Sequence, residues 1–242
     1  MIQHIPEEIL DIYNKLIKTN FEAYLVGGCV RNLLLKKSVK DWDMTTNAIP
    51  EDILKIFPNG FYDNKFGTVG IPVGKGVAEI TTFRKESGFS DKRRPDNIEW
   101  GKSIEEDLAR RDFTINAIAL KLTTNGQRPT ANLIDPFNGQ QDLKDKVIRA
   151  VGNPKERFKE DALRLLRGIR IATELSFSFE ENTWKEIISD SSLIKEVSGE
   201  RIRIELLRIL GSDKAYEGIV LLKDSNLLQQ ILPELMGGIG VA

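Results

Sequence analysis

The residues best placed to do chemistry are two aspartates in the run Val39-Lys40-Asp41-Trp42-Asp43-Met44. The pattern predicts a strand over 39–46. Side chains alternate along a strand, so Asp41 and Asp43 would share a face that Trp42 does not. Two carboxylates so close repel each other unless a cation lies between them. Oxygen ligands on a rigid strand suit magnesium, which takes one or two carboxylates and completes its shell with water and phosphate oxygens. Taken alone, the pair fits a solvent-facing strand equally well. The segment just ahead adds weight, because AYLVGG (23–28) predicts a short apolar strand ending in Gly27 and Gly28, with a helix beginning at Cys29. Backbone N–H groups at such a helix start attract phosphate. The glycines let the backbone approach a ligand closely, and Arg31 stands one turn in.

The chemistry must come from carboxylates, arginines and backbone. The lone Cys29 excludes an internal disulfide and a cysteine-cluster metal site, and the single His4 sits beside the start. No apolar run approaches the roughly 18 residues of a membrane span, and the opening residues do not form a signal peptide. A cytoplasmic protein is expected. The net charge is −1, yet nine basic residues fall between Lys144 and Arg170 against four acids. Lys92-Arg93-Arg94 and Arg110-Arg111 form smaller basic knots. Such clustering on a neutral chain suggests a defined anion site, with solvated helix faces as the alternative.

The elements that must position these residues follow from periodicity and turn chemistry. Helices are predicted at 5–19, 29–37 and 50–57, the last opened by Pro50 and two acids. The glycines and alternation of 66–83 predict a hairpin whose second arm is VAEITTF. A charged loop is expected over 84–102. The run IEEDLARRDFTINAIAL (104–120) reads as helical in its second half, and a turn surrounds Pro136 and Gly139. From 154 onward strand signals fade. PKERFKEDALRLLRGIRIATEL (154–175) reads as one amphipathic helix, with further helices at 181–189, 200–210, 213–223 and 225–230. The expected class is α+β: an α/β lobe over 1–140 built on a small mixed sheet, then an all-helical part.

GGCVRNLLLKKSVKDWDMTT (27–46) resembles the signature of the polymerase-beta-type nucleotidyltransferases, specifically the class II tRNA nucleotidyltransferase and bacterial poly(A) polymerase branch. Other blocks follow in the family's order: EITTFR (79–84), RRDFTINAIA (110–119), IDPFNGQQDL (134–143), RFKEDALRLLRGIR (157–170) and SGERIRIEL (198–206). The resemblance implies a catalytic head at 1–140, a helical neck at 141–205 that recognises the base, and the beginning of a body at 206–242, short of the family's usual length. It implies transfer of C and A nucleotides from CTP and ATP to the 3′ end of tRNA, with Mg2+ held by Asp41 and Asp43 and with Glu79 as a third catalytic carboxylate. Gly28, Arg31, Arg111 and Asp112 would bind the nucleotide, with Asp112 at the ribose. Asn116 would organise that element, and 134–143 would be a joint between head and neck. Asn32 departs from the family, which carries an aspartate there.

The same resemblance makes Asp161 and Arg164 the readers of the base. Three residues apart on one helix, they would share a face, and the competing reading is a plain intrahelical ion pair. Cytosine and adenine each present an amine donor beside a ring acceptor, whereas uracil and guanine reverse that order. One acceptor beside one guanidinium would therefore accept C and A. Arg167 and Arg170 would serve the same ligand. SGFSDKRRPDNIEW (87–100) resembles the flexible loop used in switching from C to A addition. Two further readings stay open: an A-adding or poly(A)-polymerizing relative, and a catalytically silent RNA-binding module on the same fold.

Overall fold

The computed structural model describes residues 2–62, 67–87, 97–101, 103–123 and 130–238. Most of the expected C-to-A loop, at 88–96, lies outside them. The chain divides into two compact units, 1–86 with 98–143 and 87–97 with 144–242.

The first unit opens with α1 (Glu7–Lys18), β1 (Ala23–Val26), α2 (Gly28–Leu34), β2 (Trp42–Thr46) and α3 (Pro50–Ile56). Next come β3 (Phe61–Tyr62), β4 (Thr68–Val73) and β5 (Gly76–Thr82), then the ribbon of β6 (Arg84–Ser87) and β7 (Asn97–Trp100). It continues through α4 (Ile104–Ala109), a 3-10 turn at Thr114–Asn116, β8 (Ala119–Thr123), β9 (Thr130–Ile134) and the start of α5 (Gly139–Asp145). Seven strands form one mixed sheet in the order β3-β4-β5-β2-β1-β8-β9. β2 runs parallel to β5, and the other neighbours are antiparallel. The 66–83 hairpin forms as β4 and β5.

Register separates core from chemistry. Leu25, Met44, Ile80 and Val69 are mutual neighbours across four strands, and all are fully buried. One residue along, the row is Asp43, Glu79 and Gly70. Because the side-chain period is two, the apolar row faces the core and the carboxylate row faces the other way.

Three sequence readings change here. The loop expected over 84–102 begins and ends in the paired strands β6 and β7. Asp41 lies just before β2 in an exposed bend, so the strand contains only the second aspartate. The 104–120 run is helical in its first half, as α4, and its second half becomes the 3-10 turn and β8. Residues 112–120 are all buried, and a strand covered on both faces reads as an unbroken apolar run with no alternation to betray it. The 134–143 block is tightly held. Asp135 accepts from the backbone N–H groups of Gly139 and Gln140 at 2.7 and 2.9 Å. Gly139 passes so close to the Thr114 carbonyl that a methyl group would overlap it.

The second unit carries β10 (Val147–Ile148), α6 (Pro154–Glu160), α7 (Leu163–Leu175), β11 (Ser178–Phe179), α8 (Glu181–Ser189), α9 (Gly199–Leu210), α10 (Ala215–Asp224) and α11 (Leu227–Ile231). α7 packs against α9 and α10, and its buried residues include Leu165, Leu166, Ile169 and Ala172. Residue 205, where a neck was expected to pass into a body, falls inside α9. The single helix expected over 154–175 is two helices, broken at Asp161, whose backbone is extended (φ −148°, ψ 103°).

Candidate active site

In the first unit the strand-to-helix turn, β2, β5 and the α4 exit converge. Gly27 has φ +72°, a conformation that side chains rarely adopt. A methyl group there would lie 2.9 Å from Arg111 Nη1 and 3.5 Å from Asp43 Oδ2. The bare backbone of Gly27 therefore borders both the carboxylate and the guanidinium. Glu79 is the in-register neighbour of Asp43 on the parallel strand β5, so their side chains leave the sheet on one face. Among the described residues no three acid, histidine or cysteine side chains form a metal-holding cluster on their own. The donors offered by Asp43, Glu79 and the exposed Asp41 are oxygens, and they suit a hard cation that draws its remaining ligands from water and phosphate.

Arg111 is held rather than mobile. Its Nη2 donates to Asp107 Oδ2 at 3.1 Å, and Arg110 Nη2 donates to Asp107 Oδ1 at 2.6 Å. The Nε–H of Arg111 is buried without a hydrogen-bond partner among the described residues. An unpaired buried donor is costly and points to a missing acceptor. Burial would push the Asp107 carboxyl up, but Arg110 and Arg111 hold it below the usual aspartate value. Its stabilising contribution is therefore intact above the ordinary value of about 3.9 and is lost as pH falls through the lowered one. Asp107→Asn is expected to cost about 1.5–3 kcal/mol at pH 7, the scale of charge-assisted hydrogen bonds. Urea unfolding at pH 7 and again near pH 3 should show that deficit shrinking in acid. A deficit independent of pH would assign the effect to shape alone.

Arg31 donates from Nη1 to Asn116 Oδ1 at 2.8 Å, and from Nε and Nη2 to Asn32 Oδ1, each at 3.1 Å. Asn32, the departure from the family, thus serves as an acceptor for Arg31. Gly28 opens α2 beside this arginine, 3.6 Å from Arg31 Nη2 to where a methyl group would stand. Asp112 is buried, and its Oδ1 accepts from Phe113 N and Asn116 Nδ2. Beneath the turn, Cys29 donates to the Val26 carbonyl at 3.0 Å. Burial, with Asp43 nearby, pushes its thiol up to about 12, which keeps it a neutral packing group.

In the second unit Asp161 and Arg164 do not share a helical face as expected, because Asp161 sits at the break between α6 and α7. Its Oδ1 accepts from Leu163 N at 3.1 Å, a local turn that competes with helix. Arg201, from α9, grips both of its oxygens at 3.2 and 2.7 Å. Arg164 donates to Glu160 Oε2 and to the Arg157 carbonyl, and Arg157 also reaches Glu160. Arg167 lies half-buried one turn further along α7. Arg170, expected at the same ligand, is bonded within the protein. It is buried, with Nε on Glu205 and Nη1 on Glu174, and its role is to join α7 to α9. Sequence reading missed Asp107 and Arg201. The first left a signal, an acid four residues before Arg111 in a helical stretch. The second is 40 residues from its partner and left none.

The first unit's sheet and helices are those of a polymerase-beta-type nucleotidyltransferase head. Residues 23–149 match the poly A polymerase head domain, and 176–237 match the probable RNA and SrmB-binding site of polymerase A. The chain belongs to the poly A polymerase head-domain family. It is 42% identical to a CCA-adding enzyme of Lactobacillus helveticus, over 94% of this chain and 55% of that one. A CCA-adding enzyme of Geobacillus stearothermophilus is 40% identical, over 96% and 55%. The crystal structure of the Bacillus stearothermophilus CCA-adding enzyme in complex with CTP superposes with a TM-score of 0.80 at 38% identity, over 91% of this chain and 52% of that one. A tRNA nucleotidyltransferase complexed with a primer tRNA and an incoming ATP analog gives 0.77 at 32%, over 91% and 62%. The chain spans about half the length of the curated relatives it matches. Among the described residues, no helix is long and apolar enough to cross a membrane.

Proposed function

We propose that the chain is a template-independent tRNA nucleotidyltransferase that adds C and A from CTP and ATP to the tRNA 3′ end, acting in the cytoplasm. The observation that carries this reading is the in-register pair Asp43 and Glu79 beside the bare backbone of Gly27 and the unpaired Nε–H of Arg111. The first unit is the catalytic head; the second holds the neck and, over 206–242, helices of the body. Asp41 and Asp43 hold magnesium, with Glu79 beside them. When bound, the metal supplies an activated primer hydroxyl and charge neutralisation at the triphosphate. The protein's own groups do the positioning. Gly27 and Gly28 admit the triphosphate, Arg31 and Arg111 donate to its oxygens, and Asp112 accepts from the ribose.

Asp161 and Arg164 read the base in this proposal, with Arg167 beside them. A carboxylate offers about four lone-pair positions, so Asp161 can accept an exocyclic amine while Arg201 keeps it in place. Arg164 donates to the neighbouring ring nitrogen. Alanine at either position is expected to reduce selection against UTP and GTP by roughly five- to 150-fold, the 1–3 kcal/mol of a bidentate base contact. The two losses should not add, since one base edge is read by both. Competition among four nucleotides on tRNA lacking its terminal A measures this; unchanged preference for A in both variants would remove the base-reading role. The overall activity is tested by incubation with tRNA lacking CCA, tRNA lacking only A, and generic RNA, followed by sequencing of the products. Long A tails on generic RNA would instead identify a poly(A) polymerase.

A further inference from the structure

Asn116 sits in the 3-10 turn that follows α4, only 6% exposed. Its Oδ1 accepts from Arg31 Nη1 at 2.8 Å, and its Nδ2 donates to Asp112 Oδ1 at 3.1 Å. One buried amide thus joins an arginine on α2 to an aspartate 81 positions further along the chain (112 − 31 = 81). The joint demands that chemistry. A cation needs an acceptor, a carboxylate needs a donor, and a neutral amide presents one of each on a rigid fork. Both partners are fixed from a second side as well: Arg31 by Asn32 Oδ1, and Asp112 by the backbone N–H of Phe113.

We propose that Asn116 is a positioning residue that aims Arg31 at the triphosphate and Asp112 at the ribose, so that preference for triphosphates and preference for ribonucleotides depend on one side chain. The inference rests on the functional reading above, in which those two residues touch the nucleotide. Asn116→Ala removes both halves of the joint. Asn116→Asp keeps an acceptor for Arg31 but sets a second carboxylate against Asp112, where like charges repel. The two variants therefore predict different losses.

The test is equilibrium binding of ATP, dATP and AMP to the full chain in magnesium buffer, with circular dichroism to establish folding. In Asn116→Ala the ATP/dATP and ATP/AMP affinity ratios should each fall about three- to tenfold, the effect of one hydrogen bond. In Asn116→Asp only the ATP/dATP ratio should fall. Asp112→Ala should lower the first ratio alone and Arg31→Ala the second alone. If both Asn116 variants weaken all three ligands by a common factor while Asp112→Ala and Arg31→Ala act as stated, Asn116 is merely structural and the inference is overturned. If Asp112→Ala and Arg31→Ala leave both ratios unchanged, the functional reading itself fails and the inference falls with it.

Discussion

Asp43→Ala is expected to cut nucleotide incorporation by about three orders of magnitude or more while the protein remains folded. The side chain leaves β2 on the face away from the Leu25–Met44–Ile80–Val69 row, so its loss opens no cavity in the core. What it removes is one of the negative charges around which the site is built, beside Glu79 and within reach of the Gly27 backbone. Losing several kcal/mol of charge stabilisation translates, at about 1.4 kcal/mol per factor of ten, into three or more decades of rate. Asp41→Ala should follow the same direction, from an exposed position outside the strand. Labelled ATP incorporation into tRNA lacking its A, with thermal melts of the same preparations, checks both. An Asp43→Ala protein retaining a tenth of normal incorporation would mean that the active site lies elsewhere.

Arg170→Ala should do the opposite, lowering stability and sparing selectivity. Arg170 and Glu205 are 7% and 5% exposed and bonded to each other, and Glu174 completes the cluster. Removing the guanidinium strands the Glu205 carboxylate inside the α7–α9 packing. Breaking a buried pair in this way costs about 3–5 kcal/mol, which for a chain of this size lowers the melting temperature by roughly 6–20 °C. Because buried pairs are stabilised little beyond what hydrophobic replacements provide, Arg170→Met combined with Glu205→Leu should recover much of the loss. Base preference measured below the lowered melting point should match the parent. A stable Arg170→Ala protein that admits UTP and GTP would restore Arg170 to the base-reading set and remove its structural role.

These two sites differ in how far the sequence reveals them. For Asp43 the local pattern gave the face, because a strand's two-residue period separates Trp42 and Met44 from the aspartate between them. Glu79 entered through the family resemblance, and its place between the buried Ala78 and Ile80 agrees with the same alternation. For Arg170 the spacing from Arg164 and Arg167 did not reveal its partners Glu205 and Glu174. A three-residue step drifts around a 3.6-residue helix, and two steps carry the side chain from the half-buried face of α7 into its contact with α9.

The sequence by itself determined the α+β class, the hairpin of β4 and β5, the glycine turn before α2 and the family. Each is written in short-range periodicity, turn chemistry or an uninterrupted block of residues. Tertiary structure alone decided that Asp43 and Glu79 are neighbours, since parallel pairing of β2 with β5 joins positions 36 residues apart (79 − 43 = 36). It alone decided that the helix of 154–175 breaks at Asp161. The buried residues Phe158, Ala162, Leu165, Leu166 and Ile169 carry a helical period straight across the break. The extended Asp161 is held there by Arg201, which arrives from another helix. Local pattern records which face of an element meets the core; it does not record which distant side chain meets a particular carboxylate. That depends on the order of strands in the sheet and on the packing of helices, which no window of the chain contains.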